Sequence, residues 1–496
     1  MRKHLLILLA VTLVIRGALY ISYPFGAPEG DDDQSAHTYQ IDRILSGDLL
    51  IGNLRYHTGY PLFIAPAAAL SQLFGSLDDR VLLLVQVILS GTVPFFIYDI
   101  LRTRRTPGEA FFVALLVALD PFGMQWAHFI LPNWLIAFCF VASLWLIHRA
   151  LLAQKRRLLW VALAGVLLGW AALARLNLAP VIAVLGITFF LLSGVSRRQQ
   201  LKLFVTLGVS SVAVLALYLA LIHYPSTGTW SLSCYTGTNL LVSVHVKDFD
   251  LSASNGPATQ EYLNLLTLRP SREIVFTSDI YPRWSEPESW AAPEEYAAFI
   301  NQPIGTPAPR VTTVFPASLF YYLGPCATDQ LLLEVHNEVV RAQPLRWLVS
   351  IPLDVLSMSV QPVTAQYNPL HLPHHDQINF VGESRFGFRE AQGDYYNGHL
   401  VWQPGIWLYS QLFNLWNGLK WLTPLAIVWA LFSKAWVYKA SSIVLIAFLV
   451  LLSIFGNPLP RLYAPLYPLW PLLIGGFLAT LWRYWQQRRK LPYEVP

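Results

Sequence analysis

The chain opens with Arg2-Lys3-His4, runs through an apolar stretch from Leu5 to Tyr23 interrupted by Arg16, and then reaches Asp31-Asp32-Asp33-Gln34-Ser35-Ala36-His37-Thr38-Tyr39. The apolar stretch has about the twenty residues that a bilayer crossing needs. It lacks a small-x-small cleavage site, so it reads as a retained transmembrane helix rather than a signal peptide. Carboxylates are rare beside hydrocarbon because desolvating them is costly. Three in a row just past a span therefore mark a functional site, or else a solvated loop whose acids favour the start of the next helix.

Composition agrees with a membrane protein. Of 496 residues, 55% are hydrophobic and 13% charged, with mean hydropathy +0.45, against about 25% charged in soluble domains. The net charge of +5 is not gathered on a basic face with interleaved aromatics, which argues against a nucleic-acid partner. Three cysteines are too few for a disulfide framework or a zinc site. Cys139 lies in an apolar run. Cys234 and Cys326 share one long polar loop and either pair, if that loop is outside the cytoplasm, or stay free.

Apolar runs long enough to span begin near Leu5, Val81, Ala110, Trp134, Leu158, Leu178, Leu203, Leu419, Ser441 and Leu462. They predict an all-α polytopic protein of about ten transmembrane helices. Half of the 34 lysines and arginines sit in alternate connections: Arg2-Lys3, Arg102 to Arg105, Lys155 to Arg157, Arg197 to Lys202, Lys434 to Lys439, and Arg483 to Lys490. The positive-inside rule puts these, and both termini, in the cytoplasm. Residues 24–80, 127–133, 175–177, 223–405 and 456–461 are then extracytoplasmic. Three regions result: an N-terminal membrane module (1–222) with a first external loop (24–80), an external subdomain (223–405), and a C-terminal membrane module (406–496). A stretch near 346–361 is apolar but short and holds Pro352 and Asp354, so it reads as an in-plane amphipathic helix. Pro61 to Phe74 reads the same way. The chain shows no internal repeat.

The first external loop carries the Asp31–Asp33 triplet, then Ile44-Leu45-Ser46-Gly47-Asp48, then Tyr60-Pro61-Leu62. This order resembles the first loop of the GT-C membrane glycosyltransferases, in particular the protein O-mannosyltransferase and aminoarabinose-transferase branch. Further motifs follow in the family's order. Asp120-Pro121 through His128 to Pro132-Asn133 is similar to the second external loop, and Ala174-Arg175-Leu176-Asn177 to the arginine after the fifth span. Tyr235 to Leu240 and Glu334 to Trp347 resemble the two ends of the large external loop. Pro460-Arg461-Leu462-Tyr463-Ala464-Pro465 resembles the opening of the last span. Two departures stand out. Tyr60-Pro61 replaces a proline pair, and Asn133 stands where the family has a second acid.

The resemblance implies a GT-C-type fold and an inverting transfer of a sugar from a polyprenyl-phosphate carrier to a glycan, lipid or protein acceptor. Such a transfer needs a carboxylate base near the acceptor, and Asp32 and Asp33 both qualify. Inversion needs only one. The leaving phosphate gains charge, and arginine suits it by staying charged and forking onto oxygens. Arg175, Arg461 and Arg55, with Tyr463, are the candidates on that side, and Asn133 and His128 are the second-loop candidates. Arg175 and Arg461 can equally snorkel to lipid headgroups, Arg55 can pair with Asp48, and Arg16 suits a buried partner. The resemblance implies no cofactor. A divalent cation at Asp31–Asp33 stays a minor alternative, because adjacent carboxylates repel and attract one. His371, His374 and His375 sit in a Pro-rich loop without matched carboxylates and read as surface residues.

Three other classes stay in view: a non-catalytic scaffold or receptor, to which neutral aspartates in every activity assay would point, and the two that follow. A flippase or transporter of lipid-linked saccharides needs ionisable residues buried along the spans. A polymerase or ligase favours arginine-led external motifs over aspartate-led ones. The lack of a C-terminal retrieval signal favours a cell membrane over the endoplasmic reticulum.

Overall fold

The structure is a computed structural model that describes residues 2–22, 32–52, 58–73, 80–153, 155–192, 194–267, 323–360, 379–385, 388–392, 399–455 and 466–489. Helices stand at each of the ten places where an apolar run predicts a span. Among the described residues six helices are long and apolar enough to cross a membrane: Arg2–Ile21, Val81–Leu101, Asn133–Leu152, Arg157–Ala174, Arg197–Thr227 and Trp436–Ile454. The helices at the other expected places are shorter or less apolar. The protein is therefore a multi-pass membrane protein.

The N-terminal module begins with α1 (Arg2–Ser22), followed by two loop helices, α2 (Asp32–Leu45) and α3 (Gly59–Leu73). Helices α4 (Arg80–Gly91) and α5 (Val93–Leu101) make one crossing. Next come α6 (Pro107–Ala118) and the short α7 (Pro121–Trp126), then α8 (Asn133–Leu152), α9 (Arg157–Ala174), α10 (Ala179–Leu192), α11 (Arg197–Tyr218) and α12 (Tyr224–Thr227). Start signals are written in the sequence. Thr106 caps α6 by accepting the Glu109 N–H at 3.3 Å, with Pro107 next in line. On α11, Leu201, Val205, Val209 and Val212 are exposed at helical spacing, as a lipid-facing stripe requires. Its other side packs on α9 at Gly165 and Gly169, where a Cβ on Gly165 would lie 2.0 Å from Ser210 Oγ. Small residues four apart let two helix backbones approach within a membrane.

Most of the basic connections gather at one end of the bundle. Asp99, near the end of α5, takes Arg102 at 2.7 Å, Arg149 from the end of α8 at 2.6 Å, and the Trp145 indole N–H at 2.7 Å. Glu109 at the start of α6 pairs with Arg483 in the last helix. His4 stacks on Phe111, 4.9 Å between ring centres. This is the clustering that the alternation of charged loops predicts.

The large loop contains α13 (Thr236–Val246), α14 (Pro257–Thr267), α15 (Pro325–Ala342) and α16 (Pro344–Val360). Leu241, Val244, Tyr262, Leu332, Val335 and Val339 form a core separate from the membrane bundle. Helix α15 supplies two acids that cap its neighbours. Asp329 accepts the N–H groups of Gly237 and Thr238 at 2.6 and 3.3 Å, and Glu338 accepts those of Ala258 and Thr259 at 3.1 and 2.8 Å. Burial acts to raise the Glu338 carboxyl, but these donors outweigh it and hold it below its ordinary range. A small antiparallel sheet adds to the helical frame: β1 (Asn379–Arg385), β2 (Phe388–Gln392) and β3 (His399–Trp402) in that order. The described C-terminal helices are α17 (Gln403–Leu419), α18 (Thr423–Phe432), α19 (Trp436–Phe455) and α20 (Leu469–Arg489).

Helix α16 is the expected amphipathic helix. Leu345, Leu348, Val349, Leu353 and Leu356 are exposed along one stripe. The sequence puzzle of an acid in this stretch is resolved on its other face. Asp354 pairs with Lys247 at 2.8 Å and accepts from Ser453 Oγ at 2.6 Å, while Lys247 also donates to the Ser453 carbonyl at 2.6 Å. Lys247 is only 6% exposed. Removing one partner of a buried pair leaves a lone charge, whereas removing both does not. Lys247→Met alone is therefore expected to cost about 3 kcal/mol, and Lys247→Met with Asp354→Leu less than half of that. Denaturant unfolding in mixed micelles, run as a double-mutant cycle, measures the difference.

Cys234 and Cys326 form a disulfide with Cα atoms 4.8 Å apart, joining positions 92 residues apart, and Cys139 is buried and free. A lasting disulfide belongs outside a reducing cytosol. In denatured protein, a maleimide reagent is expected to label one cysteine before reduction and three after. Labelling of all three without reductant would remove the pair.

Candidate functional site

The site is best built from α2. His37, Gln40 and Ile41 are buried on one face and Tyr39 is exposed on the other. Asp32 and Asp33 open the helix. Along the helix Asp33 precedes His37 by one turn, and Asp32 precedes Ala36 by one turn. The helix is closed by Arg43, whose Nε donates to Asp48 at 2.8 Å, and the Leu50 N–H reaches the same carboxylate at 2.8 Å. Asp48 is held below the usual carboxylate range by the Arg43 hydrogen bond first and the Leu50 N–H second. The partner of Asp48 is thus Arg43.

The rest of the first loop is sewn to the matching ends of α9, α11 and α12. The Gly52 N–H donates to Ser226 Oγ at 3.0 Å, Thr58 Oγ1 lies 2.8 Å from the Tyr218 hydroxyl, and the Trp170 indole donates to the Gly59 carbonyl at 2.8 Å. A Cβ on Gly59 would fall 2.5 Å from the Leu173 carbonyl carbon, so only glycine permits this approach.

The second loop follows α7. Asp120 caps that helix, accepting from Phe122 N at 3.1 Å and Gly123 N at 3.2 Å, with Pro121 in the first turn. His128 is buried, with Nδ1 2.9 Å from the Met124 carbonyl. A carbonyl only accepts, so Nδ1 carries the proton of the neutral ring. Arg175 leaves the end of α9 in extended conformation, and its Nη1 donates to Asn133 Oδ1 at 3.1 Å. The amide at position 133 takes one N–H without cancelling the guanidinium charge, which a carboxylate there would do.

Deeper in the bundle lies a buried ionic group that the sequence does not announce. Arg16, Asp120 and Lys420 are 5%, 2% and 1% exposed, and the carboxylate attracts both cations. Arg16 Nη1 donates to Ser90 Oγ at 2.6 Å. Lys420 Nζ lies over the Phe122 and Trp470 rings, 5.7 and 5.6 Å from their centres. The one available signal was Asp120-Pro121, a helix-start pair; nothing in the sequence ties it to Arg16 or Lys420.

Of the residues singled out from the sequence, Asp32, Asp33, His128, Asn133 and Arg175 fall among the described residues. The structure joins Asn133 to Arg175 and buries His128 on the same segment. Asp31, Arg55, Arg461 and Tyr463, like His371, His374 and His375, lie outside the described residues. Among the described residues no group of three or more His, Cys, Asp or Glu side chains is placed to hold a metal ion.

The fold and this end of it define a polytopic helical membrane protein with a polar site where its first two loops meet. Residues 59–224 match the family described as dolichyl-phosphate-mannose-protein mannosyltransferase. That segment runs from α3 to α12 and contains Asp120, His128, Asn133 and Arg175. Among solved structures, the chain is similar to the archaeal oligosaccharyltransferase AglB from Archaeoglobus fulgidus in complex with an inhibitory peptide and a dolichol-phosphate. Identity is 14% and the TM-score 0.44, over 99% of this chain and 51% of that one. It is also similar to ArnT from Cupriavidus metallidurans, in the apo state (12% identity, TM-score 0.36) and bound to undecaprenyl phosphate (13%, 0.36), over 99% of this chain and 81% of those chains. The chain spans about half the length of the oligosaccharyltransferase. No curated protein matches it.

Proposed function

We propose that the protein is a GT-C-type glycosyltransferase that moves a sugar from a polyprenyl-phosphate carrier to an acceptor on the extracytoplasmic face, with inversion. The observation that carries the reading is the Arg175–Asn133 hydrogen bond within the segment matched to the mannosyltransferase family, with α2 joined to the neighbouring Trp134 through the His37–Tyr60 and Tyr60–Trp134 ring contacts. Asp33, one helical turn before the buried His37, is the base that takes the acceptor proton. Asp32, its neighbour in the same turn, is the alternative base. Arg175, held by an amide that leaves its charge intact, stabilises the phosphate as negative charge grows on it. Arg461, Arg55 and Tyr463 are assigned to the same phosphate from their sequence positions. The Cys234–Cys326 disulfide supports an extracytoplasmic side for residues 223–405.

A photoreactive polyprenyl phosphate tests the phosphate half of this reading. Labelling is expected near residues 130–134 and 174–178, with loss on Arg175→Gln. Unlabelled polyprenyl phosphate is expected to compete and polyprenol not to. Equal competition by polyprenol would show that only the chain is recognised.

One observation favours a second reading, a transporter of lipid-linked saccharides: Arg16, Asp120 and Lys420 are ionisable and buried within the bundle. Against it, both Asp120 oxygens cap α7 and Lys420 rests on two aromatic rings, which are the contacts of a fixed core. Flux of a labelled donor across sealed vesicles decides between the two.

A further inference from the structure

We infer that Gln86 is a positioning residue that locks the first loop to the second, so that α2 and His128 keep one fixed relation. The inference rests on the glycosyltransferase reading only for its effect on catalysis. Gln86 lies in α4, is fully buried, and belongs to neither loop. Its Oε1 accepts the Tyr60 hydroxyl at 2.6 Å. Its Nε2 donates to the carbonyls of Ala127 and Phe129, both at 3.1 Å. These are the two residues that flank His128. The amide thus meets one donor on its oxygen side and two acceptors on its nitrogen side. That pattern suits an amide in one orientation only, and neither Glu nor Leu can reproduce it.

The contact continues to α2. The Tyr60 ring lies against His37, 5.2 Å between centres and near perpendicular, and against Trp134 at 6.4 Å. His37 is one helical turn from Asp33. One unbroken line of packed and hydrogen-bonded groups therefore runs from α2 through Tyr60 and Gln86 to the backbone on both sides of His128. Carbonyls of a non-helical segment inside a bundle must find donors, and here one side chain serves two of them. A site built from two separate loops needs such a tie, because an error of about 1 Å in placement costs about a hundredfold in rate.

The test compares wild type, Gln86→Leu, Gln86→Glu and Tyr60→Phe in lipid discs by hydrogen exchange and by sugar release from labelled undecaprenyl-phosphate and dolichyl-phosphate sugars. Gln86→Leu is expected to speed exchange both in residues 126–130 and, at a distance, in residues 36–41. It is expected to lower kcat at least tenfold with donor KM within about twofold. Tyr60→Phe, which keeps the ring and loses only the hydroxyl, is expected to show the same pattern more weakly and covers the case in which Gln86→Leu does not fold. Unchanged exchange in 36–41 in every folded variant would overturn the tie, whether or not any donor is turned over. Faster exchange with kcat and KM both unchanged would overturn its role in catalysis. Absence of turnover in wild type as well would count against the enzyme reading, while the exchange result would still decide the tie.

Discussion

Asp33→Asn is expected to lower sugar transfer by about 10²–10⁴-fold, the usual contribution of a positioned general base, with donor binding retained. The substitution keeps the shape of the side chain and its helix-start position and removes only the ability to take a proton. Asp32→Asn is expected to lose less than about tenfold. The difference comes from sequence position on α2: Asp33 precedes by one helical turn His37, which is buried and packs on Tyr60. Steady-state transfer by both variants, beside photolabelling of the donor site, measures it. Equal, large losses in both would mean that the two carboxylates act as a pair. Equal, small losses would move the base elsewhere.

Asp120→Asn is expected to destabilise the protein by about 3–5 kcal/mol, the general cost of removing one member of a buried charge group. The amide keeps one of the two cap bonds, because its nitrogen cannot accept the second N–H. Also lost is the counter-charge for Arg16 and Lys420, both buried with it. The expected readout is a lower denaturation midpoint in lipid discs, partly restored when Lys420→Met is added, since that removes one of the two stranded cations. A stable Asp120→Asn protein that cannot transfer sugar would instead assign Asp120 to the chemistry.

Long-range pairing is where the sequence fell silent. The ten helix positions follow from the length of apolar runs, which is a local property. The amphipathic helix Pro344–Val360 follows from an apolar stretch that is too short to span and carries Asp354. The clustering of Asp99, Arg149, Glu109 and Arg483 follows from the alternation of basic loops. The site is legible only in part. Arg175 and Asn133 can each be picked out as loop residues, but nothing in the chain shows that they meet. Gln86 looks like an ordinary polar residue in an apolar helix until Tyr60 and residues 127–129 are seen around it. Arg16, Asp120 and Lys420 come from three distant segments: Arg16 reads as an arginine that suits a buried partner, but nothing in the chain names that partner. The pairing of Cys234 with Cys326 depends on a folded loop that brings them together, and spacing alone leaves it open.

Turnover of labelled polyprenyl-phosphate sugars by the purified protein in lipid vesicles tests the central claim most directly. The account predicts that sugar leaves one or more of these donors with release of an equal amount of free polyprenyl phosphate, and that Asp33→Asn lowers both by about 10²–10⁴-fold. It is contradicted if no donor is consumed while the intact lipid-linked sugar moves across the vesicle membrane.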